Sequence, residues 1–434
     1  MRNYLRVLYY LYGMMRRAYW DRQKLLLHQN KELKKIVNYA FEYVPFYNKL
    51  FKKLGINPRD IRTLEDLNEL PIIRKDEIRK NSDAVISREF DVNDLRVLAT
   101  SGSTGHPLRV FISNKEDDFR KAKHLRANMS CGQRLMDRWV TITSPTHFSE
   151  ITKTQQLLGM YAPIFISVFD DIATQISNIE KMKPDILEGY NSSLLLLARE
   201  IKKRDIETIK PRIIIGGAEL ISDSSRRFIE EAFDAPFYDQ YGTIEMERMA
   251  WQCSAKVGYH IDADALIVQF VDKNGEEVSE GESGEIVCTS LFGYAMPFIR
   301  YAVGDIGIPS DEICSCGRKL PLMKVIEGRK DSILVLPDGR LLSPRTFTIT
   351  MNMFKLIRHI EQFQIIQKKR DVFEIRLKKK DNSIDEKALE TELTSHLRKM
   401  LALEAHGVTF EMRFIEDFNL DKSGKFKIVI SELE

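Results

Sequence analysis

The stretch LRVLATSGSTGHPLRVFIS, residues 95–113, sets Thr100-Ser101-Gly102-Ser103-Thr104-Gly105 between two apolar runs. A plain hairpin turn spans about two to five residues and has little use for so many hydroxyls beside two glycines. Gly102 and Gly105 accept positive φ, so successive backbone N–H groups can turn toward one anion. Ser101, Ser103 and Thr104 add hydroxyl donors. Together these residues suit a polyphosphate. The Gly-Lys-Ser/Thr ending of a Walker loop is absent, because His106 follows Gly105.

Around this loop, from about residue 92 to 308, short β-rich runs alternate with helical ones. VTITS reads as a strand, PDILEGYNSSLLLLAREIKKRD as strand, loop and helix, and RIIIGGAEL as a buried strand ending in glycines. FYDQYGTIE is a further strand running into a loop. Such repeats predict parallel βαβ units, with ligands at the C-terminal ends of the strands. Upstream, residues 1–90 read as mainly helical. Ile36, Ala40 and Tyr43 share one face before Pro45 interrupts the pattern. In GYNSS, Asn191 or Ser192 reads as a helix cap.

After Gly328 the character changes. DSILVLPDGRLLSP predicts a hairpin about Asp338-Gly339, and IEQFQIIQKKRDVFEIRLKKK a second hairpin with a solvated basic face. IDEKALETELTSHLRKMLA predicts a helix near Asp385, and VTFEMRFI a strand. The expected architecture is α/β: a large domain over 1–328 with mixed sheets and flanking helices, and a small mobile α+β domain over 329–434.

Composition bounds the function. Hydrophobic residues make up 43% of the 434 and charged residues 30%, which is enough apolar material for a large core. Lys plus Arg is 66 against 63 Asp plus Glu, so nothing predicts a nucleic-acid partner. Five cysteines, an odd number over a long chain, argue against a disulfide framework and for a reducing, cytoplasmic setting. MRNYLRVLYYLYGMMRRAYW is broken by Arg6, Arg16 and Arg17 and lacks a small-residue cleavage site. An amphipathic helix lying on the fold is expected there. Contact with a membrane surface is the second reading and is not expected.

Further residues extend the anion site. QYGTIE holds Tyr241, Gly242, Thr243 and Glu245: an aromatic to stack on a base, a hydroxyl for a phosphate and a carboxylate for Mg²⁺. IRYAVGDIG holds Asp305 in an expected tight turn, where a carboxylate can accept two ribose hydroxyls. GRKDS holds Arg329 and Asp331, and KSGKFK places Lys425 after Gly424 in an exposed turn.

In this order TSGSTGHP, GGAEL, YGTIE, YAVGDIG, GRKDS and KSGKFK resemble the adenylate-forming (acyl-CoA synthetase) superfamily. PFYNKL, LPIIRKDEIR, GYNSSLLLLA, SLFGYAMPFIRYAVGDIG and CSCGRKLP resemble its phenylacetate–CoA ligase-like branch, in the subgroup associated with capsular polysaccharide biosynthesis. The resemblance implies a two-step ligase. A carboxylate attacks the α-phosphate of ATP, releasing pyrophosphate, and coenzyme A then takes the acyl group. It implies that Thr100 to Gly105 hold the β- and γ-phosphates. Gly216, Gly217, Ala218 and Glu219 would line the adenine pocket beside Tyr241 and Gly242. Thr243 and Glu245 would serve the α-phosphate and Mg²⁺, and Asp305 and Arg329 the ribose. Asp331 would be the hinge of the small domain, and Lys425 would stabilise charge during adenylation. Two positions depart from the family pattern: His106 replaces a common lysine, and Ser332 the second acidic residue of the hinge.

The implied partners are a small-molecule carboxylate and CoA. An acyl-carrier thiol or a sugar amine or hydroxyl is the alternative acceptor. A catalytically silent nucleotide-binding homologue is the reading from another class, and a homodimer is compatible with the chain. Residues 143–171 and 188–193 are expected to shape the acyl pocket; His147 reads first as a loop histidine and second as a substrate contact, and Phe148, Tyr161, Phe165 and Phe169 suit either an aryl acid or a plain core. No Gly-x-Ser-x-Gly elbow supports a serine hydrolase. Cys253, His260, Cys314 and Cys316 form a candidate tetrahedral set for structural Zn²⁺, while Cys131 and Cys288 read as core thiols.

Overall fold

A computed structural model describes residues 3–99, 108–148, 159–218, 223–327, 353–380, 383–403 and 407–416, with shorter described stretches at 151, 155, 157, 221, 334–338, 341–342, 346–347, 350–351, 418 and 429–433. Two compact units emerge. One is built from segments within 1–100, 108–134 and 238–328, the other from segments within 135–237 and 329–434.

The first unit opens with three helices, Tyr4–Arg17, Arg22–Tyr43 and Pro45–Leu54. Asn3 and Asp21 cap the first two by accepting backbone N–H groups of Arg6 and Lys24. Pro45 ends one helix and begins the next, where its missing N–H costs nothing. Leu33, Ile36, Val37 and Ala40 bury one stripe against Tyr47, Phe51 and Leu67. The quoted stretch forms an antiparallel hairpin, with Arg96–Ala99 pairing Arg109–Ile112. A capping box of Ser113 and Glu116 then starts the long helix Asn114–Ser130.

Seven antiparallel strands follow, in the order Leu266–Val271, Gly284–Ser290, Tyr301–Ser310, Leu322–Glu327, Tyr259–Ile261, Glu247–Trp251 and Phe237–Thr243. Here the parallel βαβ expectation fails. The connections within this region are mostly too short for crossover helices, so the strands fold back on one another.

The long helix buries an ion cluster in this unit. Arg126 donates from Nη1 to Asp264 Oδ1 at 2.7 Å, and its Nη2 lies 2.6 Å from Asp262 Oδ1. Arg17 donates to Asp264 at 2.7 Å and Trp251 Nε1 to Asp262 at 2.7 Å. Burial pushes Asp264 up, but Arg126 and Arg17 outweigh it and hold the carboxyl below its ordinary range.

In the second unit the βαβ reading holds. Ile213–Gly217, Ile186–Tyr190, Trp139–Thr143 and Ile164–Ser167 lie parallel in that order. Helices Ile172–Met182, Asn191–Arg204 and Asp223–Phe233 connect and flank them. Asn191 is the first residue of its helix and Tyr190 the cap, without a side-chain cap bond, so neither Asn191 nor Ser192 caps it. The strand runs straight into the helix and leaves no loop residue for that role.

The C-terminal part of this unit is α+β. Leu334–Val335 pairs Leu341–Leu342, the expected hairpin. A four-stranded sheet runs Thr409–Phe414, Val372–Lys379, Ile360–Lys369 and Val429–Ser431, with an antiparallel centre and parallel outer pairs. Helix Glu386–Met400, capped by Asp385, buries Leu389, Leu393 and Leu397. The overall class is mixed α/β, as the sequence implies.

Replacing Arg126 by alanine leaves Asp262 and Asp264 buried with part of their compensation gone. The expected loss is about 3–5 kcal/mol of unfolding free energy, measured by urea titration.

Candidate active site and metal centre

The first unit gathers Tyr241, Gly242, Thr243, Glu245 and Asp305. Strand Phe237–Thr243 turns at 244–246 into strand Glu247–Trp251, and the register slips between Tyr241 and Gly242. A Cβ on Gly242 would sit 2.2 Å from the Glu247 carbonyl oxygen, so only glycine fits this approach. Thr243 Oγ1 accepts the Met246 N–H at 3.1 Å and closes the turn. Glu247 has φ of 62°, a left-handed conformation costly for its residue type.

Two hydrogen bonds join this segment to strand Tyr301–Ser310. Tyr241 Oη donates to Asp305 Oδ2 at 2.8 Å, and Tyr301 Oη donates to Glu245 Oε1 at 2.8 Å. Asp305 therefore lies within a strand rather than in a tight turn. Gly304, with φ of 85°, and the register shift after Ile306 supply the local bend that the glycine suggested.

Cations support the turn from behind. Arg120 donates to the carbonyls of Ile244 and Glu245 at 2.8 and 3.2 Å, and Lys123 to that of Met246 at 3.0 Å. Lys75 Nζ lies 3.2 Å from Glu245 Oε1. Burial pushes Glu245 up, but Lys75, its own backbone N–H and Tyr301 hold the carboxyl below the usual range. Burial, reinforced by Asp305, raises the Tyr241 phenol well above its ordinary value, so it stays a donor. Lys75, Arg120, Lys123 and Tyr301 were not among the sequence candidates. Arg120, Lys123 and Arg126 recur every third residue in one helix, which is the signal that could have marked them.

In the second unit Gly216 and Gly217 end the strand Ile213–Gly217, and Ala218 follows with φ of 69°. A Cβ on Gly216 would meet Asn191 Oδ1 at 2.1 Å and Phe237 Cζ at 2.2 Å, so this glycine is also sterically required. His147 Nδ1 lies 3.0 Å from Tyr190 Oη, and Phe148 stacks on Phe165 at 5.0 Å. Thr100 to Gly105, Glu219, Arg329, Asp331 and Lys425 lie outside the described residues, as do His106 and Ser332.

A second cluster forms where strand Leu322–Glu327 pairs Tyr259–Ile261, setting Leu322 opposite His260. That pairing brings the loop carrying Cys314 and Cys316 to Cys253 and His260. Their ligand atoms all lie within 4.8 Å of one another. Cys253 Sγ is 3.4 Å from Cys314 Sγ, and Cys316 Sγ is 3.3 Å from His260 Nε2. Tetrahedral zinc with Zn–S of about 2.3 Å puts sulfurs about 3.8 Å apart, so the donor set and its size fit that ion. Burial pushes the His260 ring down to about 4, leaving a neutral imidazole at pH 7. Cys131 and Cys288 are buried apart from this cluster, as the sequence suggests.

Comparison with known proteins gives the context. Residues 337–432 match the family described as CapK C-terminal domain. The chain is 27% identical over 350 residues to phenylacetate-coenzyme A ligase of Thermus thermophilus, covering 78% of each protein. It is 25% identical over 348 residues to Protein CapK of Staphylococcus aureus, covering 77% of this chain and 73% of that protein. The crystal structure of 2-hydroxyisobutyryl-CoA ligase in its postadenylation state, with R3-HIB-AMP, shares the fold. Its TM-score is 0.65 at 20% identity, over 96% of this chain and 91% of that one.

Lys75→Met leaves the burial of Glu245 unopposed by its cation. In the native protein the depressed pKa contributes stability above the ordinary carboxylate range, which is lost as pH falls through the folded pKa. In the variant the pKa rises instead. Urea unfolding should show a deficit of about 1–2 kcal/mol at pH 7, discounted for partial exposure of Lys75, that shrinks on acidification as Glu245 takes up a proton.

Proposed function

We propose that the chain is a ligase of the AMP-forming type, in the branch of the adenylate-forming superfamily that holds phenylacetate–CoA ligases and CapK, and that it activates a small carboxylic acid with ATP and passes the acyl group to coenzyme A. In the first step a carboxylate oxygen attacks the α-phosphorus, the bond to the bridging oxygen breaks, and pyrophosphate leaves. In the second the CoA thiolate attacks the acyl carbonyl and AMP leaves. Neither step needs a covalent enzyme intermediate, so positioning and charge stabilisation carry the catalysis.

One observation supports this reading above the others: Tyr241, Glu245 and Asp305 converge on two short hydrogen-bonded bridges. In this proposal Tyr241 stacks near adenine, and Asp305 accepts ribose hydroxyls. Glu245 offers a carboxylate oxygen to Mg²⁺, which would neutralise phosphate charge, and Thr243 contacts the α-phosphate. Thr100 to Gly105 hold the outer phosphates, and Gly216 to Glu219 line the base pocket. Arg329 joins Asp305 at the ribose. The segment 329–434 acts as the lid, turning at Asp331 and delivering Lys425 for adenylation. The separate apolar core spanning Leu334 to Val429 supports that division.

A second acceptor reading, in which a carrier-protein thiol or a sugar amine or hydroxyl replaces CoA, rests on the resemblance of the sequence motifs to the subgroup associated with capsular polysaccharide biosynthesis. Cys253, His260, Cys314 and Cys316 would hold a structural zinc ion. Four protein ligands leave no open position, so that ion takes no part in the chemistry. No described helix is long and apolar enough to cross a membrane.

Carboxylate-dependent ATP–pyrophosphate exchange over an acid panel, with and without CoA, tests the activity. Exchange with a particular acid, independent of CoA, is expected. Lys425→Ala should abolish it while ATP binding persists, and an unchanged exchange rate would remove that lysine from the mechanism. Elemental analysis should find one zinc per chain. Chelation or Cys316→Ala should lower the thermal midpoint, and an equally stable metal-free protein would refute the zinc assignment.

A further inference from the structure

Helix Tyr4–Arg17 carries two apolar faces. Val7, Leu11 and Met14 are buried. On the far side Leu5 is 80% exposed, Tyr9 74%, Tyr12 64% and Leu8 48%. At ~100° per residue these four, with Arg16, fall within an arc of about 100°. A helix inside a water-soluble fold normally turns polar residues outward, and this one turns out two leucines and two tyrosines. Tyr19, just beyond the helix, is also exposed.

Charge in the N-terminal segment that carries the stripe is one-sided. Residues 3–35 hold eight Lys or Arg against two acidic residues, in a chain that is otherwise nearly balanced. Arg6 and Arg17 point inward to Asp118 and Asp264. Arg16, Arg22, Lys24, Lys31 and Lys34 are exposed. Arg16 lies over the Tyr12 ring at 5.6 Å and donates to its hydroxyl at 3.3 Å, which places a guanidinium at the edge of the apolar stripe.

We infer that this face binds an anionic lipid bilayer surface, with the helix lying in the plane of the interface. Leucines would enter the acyl boundary, and the tyrosines would keep their hydroxyls at headgroup level. The basic residues would meet lipid phosphates. Charge separates this occupant from a second copy of the chain. A twofold contact through this face would bring two net-positive N-terminal segments together. An anionic surface neutralises the same charges. The inference is independent of the ligase reading, since no residue of the candidate active site takes part.

The test is co-sedimentation of the full chain with vesicles of phosphatidylglycerol and phosphatidylcholine in equal parts, against pure phosphatidylcholine. Binding to the anionic vesicles alone, weakened as salt rises from about 0.1 M to about 0.5 M, is expected. The pair Leu8→Glu and Tyr9→Glu should lower the bound fraction at least about tenfold. A Leu8→Trp variant gives a readout that does not depend on loss of function: its fluorescence should shift to the blue on adding anionic vesicles. No binding and no shift, with Leu8→Trp folded by circular dichroism, would overturn the inference. A concentration-dependent dimer that Leu8→Glu abolishes would also overturn it, because the face would then belong to a second copy.

Discussion

Two hydroxyl-to-carboxylate hydrogen bonds of opposite sense organise the candidate centre. Tyr241 donates to Asp305, and Tyr301 donates to Glu245. Each segment places its tyrosine four residues ahead of its carboxylate. The crossed pairing is therefore what two segments running in opposite directions produce. Each bond also depends on the other's chemistry. The phenols stay protonated because they are buried beside carboxylates, while Glu245 stays ionised because Lys75 and its own N–H outweigh burial. The positions of these groups are fixed by hydrogen bonds within the protein.

That arrangement rests on helix Asn114–Ser130. Arg120 and Lys123 hold the turn that carries Glu245 by its carbonyls, and Arg126 anchors the same helix through Asp262 and Asp264. Buried cations are costly unless each finds acceptors. Lys123 shows the tension: burial pushes its ammonium down to about 8 despite Asp262 nearby. Well-packed apolar residues could stabilise the helix as well, but they could not grip three successive carbonyls.

Much of this architecture was legible in the sequence for a definite reason. The strands VTIT and IIIGG and the C-terminal hairpin about Asp338 carry local signals: alternation, apolar runs and turn residues. Tyr241, Glu245 and Asp305 stood out through motif order. The seven antiparallel strands did not, because apolar runs such as LIVQFV or GEIVCTS look alike in parallel and antiparallel sheets. Direction is set by which strand they pair with, a long-range property. Lys75, Arg120 and Lys123 were missed for a similar reason. A charged residue reads as surface until its burial is known, and burial depends on helix placement. Cys253 and His260 were paired correctly with Cys314 and Cys316 only as residue types; the strand pairing at Leu322 and His260 provides the proximity.

Strand Glu247–Trp251 connects the two clusters. At one end Glu247 sits in a left-handed conformation that costs on the order of 1–3 kcal/mol. It is held there by backbone pairing across Gly242 and by the His124 ring 3.6 Å from its carboxylate. At the other end Trp251 donates to Asp262 and packs against His260 at 5.0 Å, and Cys253 lies two residues further on. The strand thus joins the candidate site at one end to the Cys and His cluster at the other, through its paired backbone and the buried Trp251.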